Sequence, residues 1–349
     1  MRASVFYGPG RVNVDEIEEP VLEEGDIKIK VELCGVCGSD IKTFVRGTPY
    51  TKPPAVLGHE VVGTVIESRS YKWKKGDRVA VAHYIPCGVC PRCLEGKGTI
   101  CPEIFERKIE PGGFVEKMRI PRDLAERATF KLDDDTSWKQ AVLSEPLACC
   151  IHAAKQLSIS PNSKVLIIGD GPMGLLHTQV VKAFGAKEVI LSGMTSHRLE
   201  RAKKLADYVI NAQKKDIVSK VKEITNGEGP SHIIVAVPSI EAAQQALEMI
   251  CLGGEILLFG GFSKNQELPV DPNGIHYDEV KLLGSVGSLP EDFYLALTLL
   301  SSRKIGSDLF ITHRYSLDNV SKALELGTKQ TGIKAVIDLS AASGTEEEL

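Results

Sequence analysis

The 349-residue sequence lacks any apolar run that approaches the roughly 20 residues of a membrane-spanning helix. Its first residues, MRASVFYGPGRV, contain no apolar stretch of signal-peptide length. The formal net charge is −4 at pH 7, so the chain has no overall basic field that would attract nucleic acid. We therefore expect a cytoplasmic protein that binds small molecules rather than nucleic acid or a membrane.

The composition is that of an ordinary globular protein, with 43% hydrophobic and 25% charged residues and no internal repeat. A single hydrophobic core stops growing at roughly 250–300 residues, so the length predicts two domains.

The sequence changes character near Ser144. Before it, short β-branched runs separated by Gly and Pro predict an irregular, mostly antiparallel β domain over residues 1–150. After it, helical and strand patterns alternate, which predicts an α/β domain with a doubly wound parallel sheet over residues 151–289. We predict helices at 147–157, 173–184 and 293–302, and strands at 165–168, 189–191, 233–237 and 256–259.

The segment 290–349 is too short to form a domain of its own. Periodicity alone leaves two possibilities: it closes the parallel domain, or it returns to the first domain. We expect the final GTEEEL to be a solvated, frayed terminus.

Four cysteines lie within fifteen residues, in the spacing Cys-x2-Cys-x2-Cys-x7-Cys: Cys87, Cys90, Cys93 and Cys101. Four thiolates suit a tetrahedral zinc ion, and a closed shell of sulfurs leaves no position for water, so we predict a structural site. The alternatives are two disulfides or an iron–sulfur cluster. Without a secretion signal the disulfides are disfavoured, and no neighbouring motif requires an electron relay.

A glycine-rich turn follows the predicted strand Lys164–Ile168: Gly169, Asp170, Gly171, Pro172, Met173 and Gly174. A strand that leads through GxGxxG into a helix directs backbone N–H groups at a pyrophosphate, so the motif predicts a dinucleotide site. The alternative is a tight turn without a ligand.

The coenzyme is predicted from the end of the next strand, where NAD-binding proteins usually carry a carboxylate. Here Gly193 stands at that end, followed by Thr195, Ser196, His197 and Arg198. These residues could surround a 2′-phosphate, which favours NADP(H) over NAD(H) and leaves both possible. Alternatively, Arg198 is a solvated residue at the start of a helix.

Two further fragments, Gly35-Val36-Cys37-Gly38-Ser39-Asp40 and Gly58-His59-Glu60, supply a thiolate, an imidazole and a carboxylate. This mixed set is typical of a catalytic zinc that keeps an exchangeable position. A lone cysteine or histidine is more often a buried core residue, so the prediction depends on their occurrence together.

The chain resembles the zinc-containing medium-chain dehydrogenase/reductase family, and within it the sorbitol and threonine dehydrogenase branch. The resemblance spans nearly the whole length and consists of CGVCGSD, LGHE, the four-cysteine lobe, GGF at 112–114, SEPLACCIHA and GDGPMG, in the family's order. It implies a GroES-like catalytic domain, a Rossmann domain, a last segment that returns to the catalytic domain, and two zinc sites. It also implies a homodimer or homotetramer, with contact at the edge of the parallel sheet.

The resemblance further implies roles for individual residues. Cys37 and His59 would bind the catalytic zinc, and either Glu60 or Glu145 would complete the shell, with Ser144-Glu145-Pro146 favouring Glu145. Ser39 resembles the hydroxyl that receives the alcohol proton. Lys42 stands where the family often has histidine, so it is a proton relay, a substrate contact or an exposed charge.

The prediction of the substrate depends on three residues. Gly287 aligns with an arginine that holds the polyol in sorbitol dehydrogenases, whereas Lys42 and Arg46 would favour a carboxylated sugar. Our hypothesis is hydride transfer between NAD(P) and a secondary hydroxyl of a polyol, sugar acid or related alcohol. The alternatives are a zinc-free quinone or enone reductase on the same fold, and a zinc-ribbon binding module without activity.

Overall fold

The computed structural model describes residues 1–329 and 331–349, and the bounds of its elements follow in chain order. The strands are β1 (Arg2–Gly8), β2 (Arg11–Glu16), β3 (Ile27–Gly35), β4 (Ala55–Val56), β5 (Glu60–Ser68), β6 (Arg78–Val81), β7 (Lys117–Ile120), β8 (Thr129–Lys131), β9 (Lys164–Ile168), β10 (Glu188–Gly193), β11 (Tyr208–Asn211), β12 (His232–Val235), β13 (Glu255–Leu258), β14 (Lys281–Gly284), β15 (Ile311–Tyr315), β16 (Lys334–Asp338) and β17 (Glu346–Glu348). The α-helices are α1 (Gly38–Arg46), α2 (Pro91–Leu94), α3 (Arg122–Arg127), α4 (Trp138–Ala141), α5 (Ser144–Ala154), α6 (Pro172–Ala183), α7 (Ser196–Ala202), α8 (Ile217–Ile224), α9 (Ile240–Met249), α10 (Pro272–Tyr277), α11 (Pro290–Ser301) and α12 (Val320–Lys329). Short 3₁₀ turns lie at Gly98–Ile100 and Leu317–Asn319.

The chain divides into two compact units. The first contains Met1–Ala148 and Ser288–Leu349, and the second contains Cys149–Gly287. The predicted boundaries at 150 and 289 lie two residues from these divisions.

The first unit is built around β3, which pairs antiparallel with β5, β7 and β16. The strand order in its larger sheet is β17-β15-β16-β3-β5-β6-β8. Ile27, Ile29, Val31 and Leu33 alternate along β3 and are all at most 5% exposed, as the two-residue period of a strand requires. Because β16 pairs with β3, the last segment of the chain contributes strands to the first unit.

The expectation of a frayed terminus is wrong. Glu346–Glu348 forms β17, which pairs antiparallel with β15. Backbone pairing does not require apolar side chains, and Arg314 Nη1 also lies 3.1 Å from Glu347 Oε2. Charged composition alone therefore misidentified this strand.

The second unit contains the predicted parallel sheet, which is confirmed. Its strand order is β11-β10-β9-β12-β13-β14, and every pair is parallel. Val165, Leu166 and Ile167 are fully buried on β9, because helices cover both faces of such a sheet. The order reverses at β9, which has β10 on one side and β12 on the other. The crevice at the carboxyl ends of such strands is where α/β sheets bind ligands.

Helix α5 begins three residues earlier than the apolar pattern predicted. The pattern starts at the first core residue, Leu147, but the preceding turn, Ser144 to Pro146, is already helical. Proline is tolerated there because the first turn has no intrahelical acceptor for its missing N–H. Within the residues described, no helix combines the length and apolarity required to cross a membrane.

Candidate metal and coenzyme sites

Cys37 is held at the start of α1 by its own backbone. It is the residue that caps this helix, and its N–H donates a hydrogen bond to Asp40 Oδ2 at 3.0 Å. The Cys37 sulfur is thereby placed at the N-terminus of α1.

The same Asp40 connects the two catalytic fragments. Its Oδ1 accepts a hydrogen bond from the Gly58 N–H at 3.1 Å and lies 3.4 Å from Nδ1 of His59. The contact leaves Nε2 of His59 directed toward the Ser39 hydroxyl, 3.5 Å away. Burial alone would lower the pKa of His59, but the negative charges of Asp40 and Cys37 raise it well above its usual value. The surroundings of this imidazole therefore favour a positive charge.

Glu60 starts β5 and is fully buried. Its charge is matched by Lys334 of β16, whose Nζ lies 2.7 Å from Oε1 and 2.6 Å from Oε2. Lys334 also donates to the Val36 carbonyl oxygen at 3.3 Å. Gly35 makes room for this carboxylate, because a Cβ at that position would lie 1.9 Å from Glu60 Oε2.

These fragments form one potential metal site. One ligand atom from each of Cys37, His59 and Glu60 lies within 4.8 Å of the other two. Zinc bonds of about 2.0–2.3 Å place tetrahedral ligands roughly 3.3–3.8 Å apart, so a small inward movement would enclose the ion. A thiolate, an imidazole and a carboxylate fit a catalytic zinc.

Glu145, the ligand favoured by the sequence, is not part of the group of ligand atoms that lie within 4.8 Å of one another among the described residues. Its Oε1 is 3.5 Å from Nδ1 of His83, and its side chain is 8% exposed. The His83 ring is in turn 4.7 Å from the His59 ring. Burial and the nearby His59 lower the pKa of His83 well below its usual value. His83 was missed by the sequence analysis, because a histidine two residues beyond β6 belongs to no recognisable spacing.

The remaining predicted residues of the catalytic group lie on α1. Ser39, Lys42 and Arg46 are all exposed. The Ser39 hydroxyl approaches His59, one of the potential zinc ligands.

The four clustered cysteines form a second potential metal site. The Sγ–Sγ distances are 3.4 Å between Cys90 and Cys93, 3.8 Å between Cys87 and Cys93, and 3.9 Å between Cys90 and Cys101. Zinc–sulfur bonds of about 2.3 Å give tetrahedral edges of roughly 3.8 Å, so these three distances differ from the zinc geometry by at most about 0.4 Å. Backbone N–H groups of Val89 and Cys90 lower the pKa of Cys87 to about 6, which favours its thiolate. None of these four cysteines is in a disulfide.

The glycine-rich turn lies between β9 and α6, at the carboxyl edge of the parallel sheet. Gly169 has φ of +128°, and a Cβ at Gly174 would lie 1.9 Å from the Gly169 carbonyl oxygen. Gly171 precedes the first turn of α6, and a Cβ there would meet nothing within 4 Å. Pro172 and Met173 begin the helix. The closely packed glycines bring helix and strand together, and the open one leaves space for a pyrophosphate.

Both units match known families. The sequence matches the alcohol dehydrogenase GroES-like domain over residues 23–129 and the zinc-binding dehydrogenase family over residues 172–302. Sorbitol dehydrogenase of Bacillus subtilis (strain 168) is 31% identical over 333 residues, which are 93% of each chain. The chain belongs to the zinc-containing medium-chain dehydrogenase/reductase family, in its sorbitol dehydrogenase-like branch. The expected GroES-like and Rossmann architecture is thus confirmed.

Other family members show similar coverage. D-arabitol-phosphate dehydrogenase of Enterococcus avium is 34% identical, covering 93% of this chain and 92% of its own. L-galactonate-5-dehydrogenase of Escherichia coli (strain K12) is 29% identical, covering 93% and 94%. Among solved structures, a putative zinc-binding dehydrogenase from Sinorhizobium meliloti 1021 bound to NADP has a TM-score of 0.89 and 27% identity, covering 97% of this chain and 98% of that one. This medium-chain dehydrogenase is therefore an enzyme of the zinc- and NAD(P)-dependent class.

Proposed function

We propose that this medium-chain dehydrogenase transfers a hydride between NAD(P) and a secondary hydroxyl of a polyol or sugar acid, and reduces the ketone in the reverse direction. The observation that carries the proposal is the convergence of Cys37, His59 and Glu60, with ligand atoms within 4.8 Å of one another, in a family of zinc-binding dehydrogenases.

Cys37 and His59 would hold the catalytic zinc, with Glu60 or Glu145 completing the shell. When bound, zinc supplies a Lewis acid that lowers the pKa of an alcohol, and the nicotinamide supplies the hydride acceptor. Cys87, Cys90, Cys93 and Cys101 would hold a structural zinc.

Three residues around the proposed zinc site would orient a ligand, transfer a proton and compensate a buried charge. Asp40 orients the His59 ring through Nδ1, in the manner of a carboxylate that positions a metal-binding histidine. The Ser39 hydroxyl receives the alcohol proton and, because it is exposed, can pass that proton to water. Lys334 compensates the charge of Glu60, which would otherwise be buried and unpaired.

The substrate class is supported by the names of the relatives and by charge. The relatives include dehydrogenases of sorbitol, arabitol phosphate and L-galactonate, and two of these substrates are anionic. Lys42 and Arg46 lie on α1, the helix capped by Cys37, and would favour an anionic group on the sugar. Gly287 offers no side chain to hold a neutral polyol at that position.

The main test is metal content together with a substrate screen. The purified chain should contain a structural and a catalytic zinc, and should oxidise polyols and sugar acids faster than plain aliphatic alcohols with NAD or NADP. Cys37→Ser should lose one zinc and the activity, whereas Cys251→Ser, a change at a cysteine in the second unit, should lose neither.

Several results would contradict the proposal. A single zinc with coenzyme binding but no alcohol oxidation would favour the zinc-free reductase alternative. A single zinc without coenzyme binding would favour the binding module. Equal turnover of aliphatic alcohols and sugar acids would contradict the proposed substrate class.

The third ligand can be tested separately. Glu60→Gln and Glu145→Gln each remove one carboxylate charge at nearly constant shape. The variant that loses the catalytic zinc to a chelator faster identifies the resting ligand. If neither variant changes the rate, neither carboxylate binds the metal at rest.

The exposed edge of the parallel sheet bears on the oligomeric state. We propose a homodimer or homotetramer that forms through the edge of the parallel sheet, where Leu282 of β14 is 39% exposed. Sedimentation that gives the mass of a single chain would contradict it. The expected cytoplasmic location and the expected absence of nucleic-acid partners stay predictions.

A further inference from the structure

The carboxyl end of β10 is the position at which this chain departs from the usual NAD-binding pattern. A carboxylate commonly ends this strand and accepts hydrogen bonds from the ribose hydroxyls of the coenzyme. Here the strand ends at Gly193, which has no side chain.

Asp170, from the glycine-rich turn, brings a carboxylate to the same place. A Cβ built on Gly193 would lie 2.4 Å from Asp170 Cβ and 2.5 Å from both Cγ and Oδ2. The Asp170 side chain therefore occupies the space in which a side chain at residue 193 would begin. The residues at 170 and 193 are therefore coupled, because any side chain at position 193 would collide with the side chain of Asp170.

The orientation of this carboxylate is fixed by the backbone after β10. Asp170 Oδ2 accepts hydrogen bonds from the N–H of Met194 at 2.9 Å and from the N–H of Thr195 at 2.6 Å. Oδ1 accepts no hydrogen bond from any described residue and is not sealed from solvent. The residue as a whole is only 8% exposed. One oxygen is thus anchored, and the other is available as an acceptor.

The same contacts remove donors that a 2′-phosphate would need. The amides of Met194 and Thr195 already bind Asp170. Arg198 is 8% exposed, and although burial lowers the pKa of its guanidinium, the negative charge of Asp170 opposes that shift. A phosphate at this position would therefore meet the negative charge of Asp170, which also acts on the Arg198 guanidinium.

We infer that Asp170 selects the coenzyme: its free oxygen accepts a hydrogen bond from the ribose 2′-hydroxyl, and its charge disfavours a 2′-phosphate, so the enzyme prefers NAD(H) to NADP(H). The inference rests on the proposed function, because it assumes a dinucleotide in this crevice. It reverses the preference expected from the sequence, in which Asp170 and Gly193 are 23 positions apart.

The test measures binding, independently of activity. Titration of the full chain with NADH and with NADPH, followed by nicotinamide fluorescence, should give a dissociation constant for NADH at least about tenfold lower, the effect expected of a hydrogen bond to a charged group. Asp170→Asn should bring the two constants to within about threefold. Its amide oxygen can still accept both backbone N–H groups, so the turn is retained while the charge is lost.

A matched control removes another acid beside the same strand. Asp207 Oδ2 accepts a hydrogen bond from the N–H of Val189, at the opposite end of β10. Asp207→Asn should leave the ratio of the two constants unchanged. A second variant relocates the charge: Asp170→Gly with Gly193→Asp should restore the preference for NADH. Residue 170 must become glycine there, because its Cβ lies 2.4 Å from the new one.

The possible failures are distinguishable. Equal or tighter binding of NADPH by the unaltered chain, or an unchanged ratio in Asp170→Asn, would overturn the inference and leave the proposed function intact. Binding of neither coenzyme by the folded chain would overturn both.

Discussion

His177 provides the most quantitative prediction about stability. It lies on α6 in the core of the second unit and is fully buried. Among the described residues, neither ring nitrogen has a hydrogen-bond partner, and the ring packs edge-on against Phe259 with 4.4 Å between centroids. Burial lowers its pKa to about 3. The folded chain therefore holds this imidazole neutral throughout the pH range in which an exposed histidine becomes charged.

The sign of the pH dependence follows from this shift. In the unfolded chain the pKa of a histidine is about 6.5. Between pH 6.5 and 3 the unfolded state binds the proton and the folded state does not, so acid favours unfolding. The contribution of the neutral His177 ring to the free energy of unfolding is therefore fully present above about pH 6.5 and decreases as the pH falls toward 3. At 1.36 kcal/mol per pH unit, His177 should lower the free energy of unfolding by about 1.4 kcal/mol between pH 7.5 and 5.5.

The assay is urea unfolding of the full chain and of His177→Leu at both pH values. Other titrating groups, including the potential zinc ligands, are the same in both proteins, so they cancel in the comparison. The variant should lose about 1.4 kcal/mol less than the unaltered chain over this pH interval. Removing an unpartnered polar ring should also stabilise it by about 1–3 kcal/mol at pH 7.5, less any cost of repacking.

His276 serves as the control because it is an exposed histidine of the same unit. His276→Gln should follow the unaltered chain at both pH values. Equal pH dependence of the unaltered chain and His177→Leu would refute the reasoning, since it would mean that the buried ring is protonated or hydrogen-bonded in the folded state.

Three further predictions concern the first unit. Lys334→Met leaves Glu60 buried without its counter-charge and should lower the free energy of unfolding in urea by about 3–5 kcal/mol. Adding Glu60→Gln should restore part of this loss. Equal losses in the single and double variants would contradict a coupled pair. Cys93→Ser should lower the zinc content by one ion per chain and reduce the thermal midpoint, and an unchanged metal content would exclude a four-sulfur site. Gly35→Ala places a Cβ 1.9 Å from Glu60 Oε2 and should cost about 1–3 kcal/mol, whereas Gly38→Ala meets nothing within 4 Å and should be nearly neutral.

Features that depend on neighbouring residues could be predicted from the sequence. The spacing of Cys87, Cys90, Cys93 and Cys101 implies a shared site because a short loop cannot carry them far apart. The turn from Gly169 to Gly174 is equally local, since it needs only a strand before it and a helix after it. The alternation of strands and helices after Ser144 predicted the parallel sheet for the same reason.

Pairings between distant segments could not be predicted in this way. Lys334 is 274 positions from Glu60, and no periodicity indicates that β16 lies beside β3. His83, which follows β6, lies beside Glu145 at the start of α5 although the two are far apart in the sequence. The glutamate-rich tail was misjudged because strand pairing uses backbone groups, which composition does not describe.

By itself, then, the sequence determined the family, the parallel sheet and the glycine-rich turn, and it predicted the potential zinc ligands, because each has a signature within a few dozen residues. Only the tertiary structure decided which charges face one another: Lys334 beside Glu60, His83 beside Glu145, and Asp170 in the space left by Gly193. Electrostatic interactions depend on distances through space, and chain topology sets those distances independently of separation along the sequence.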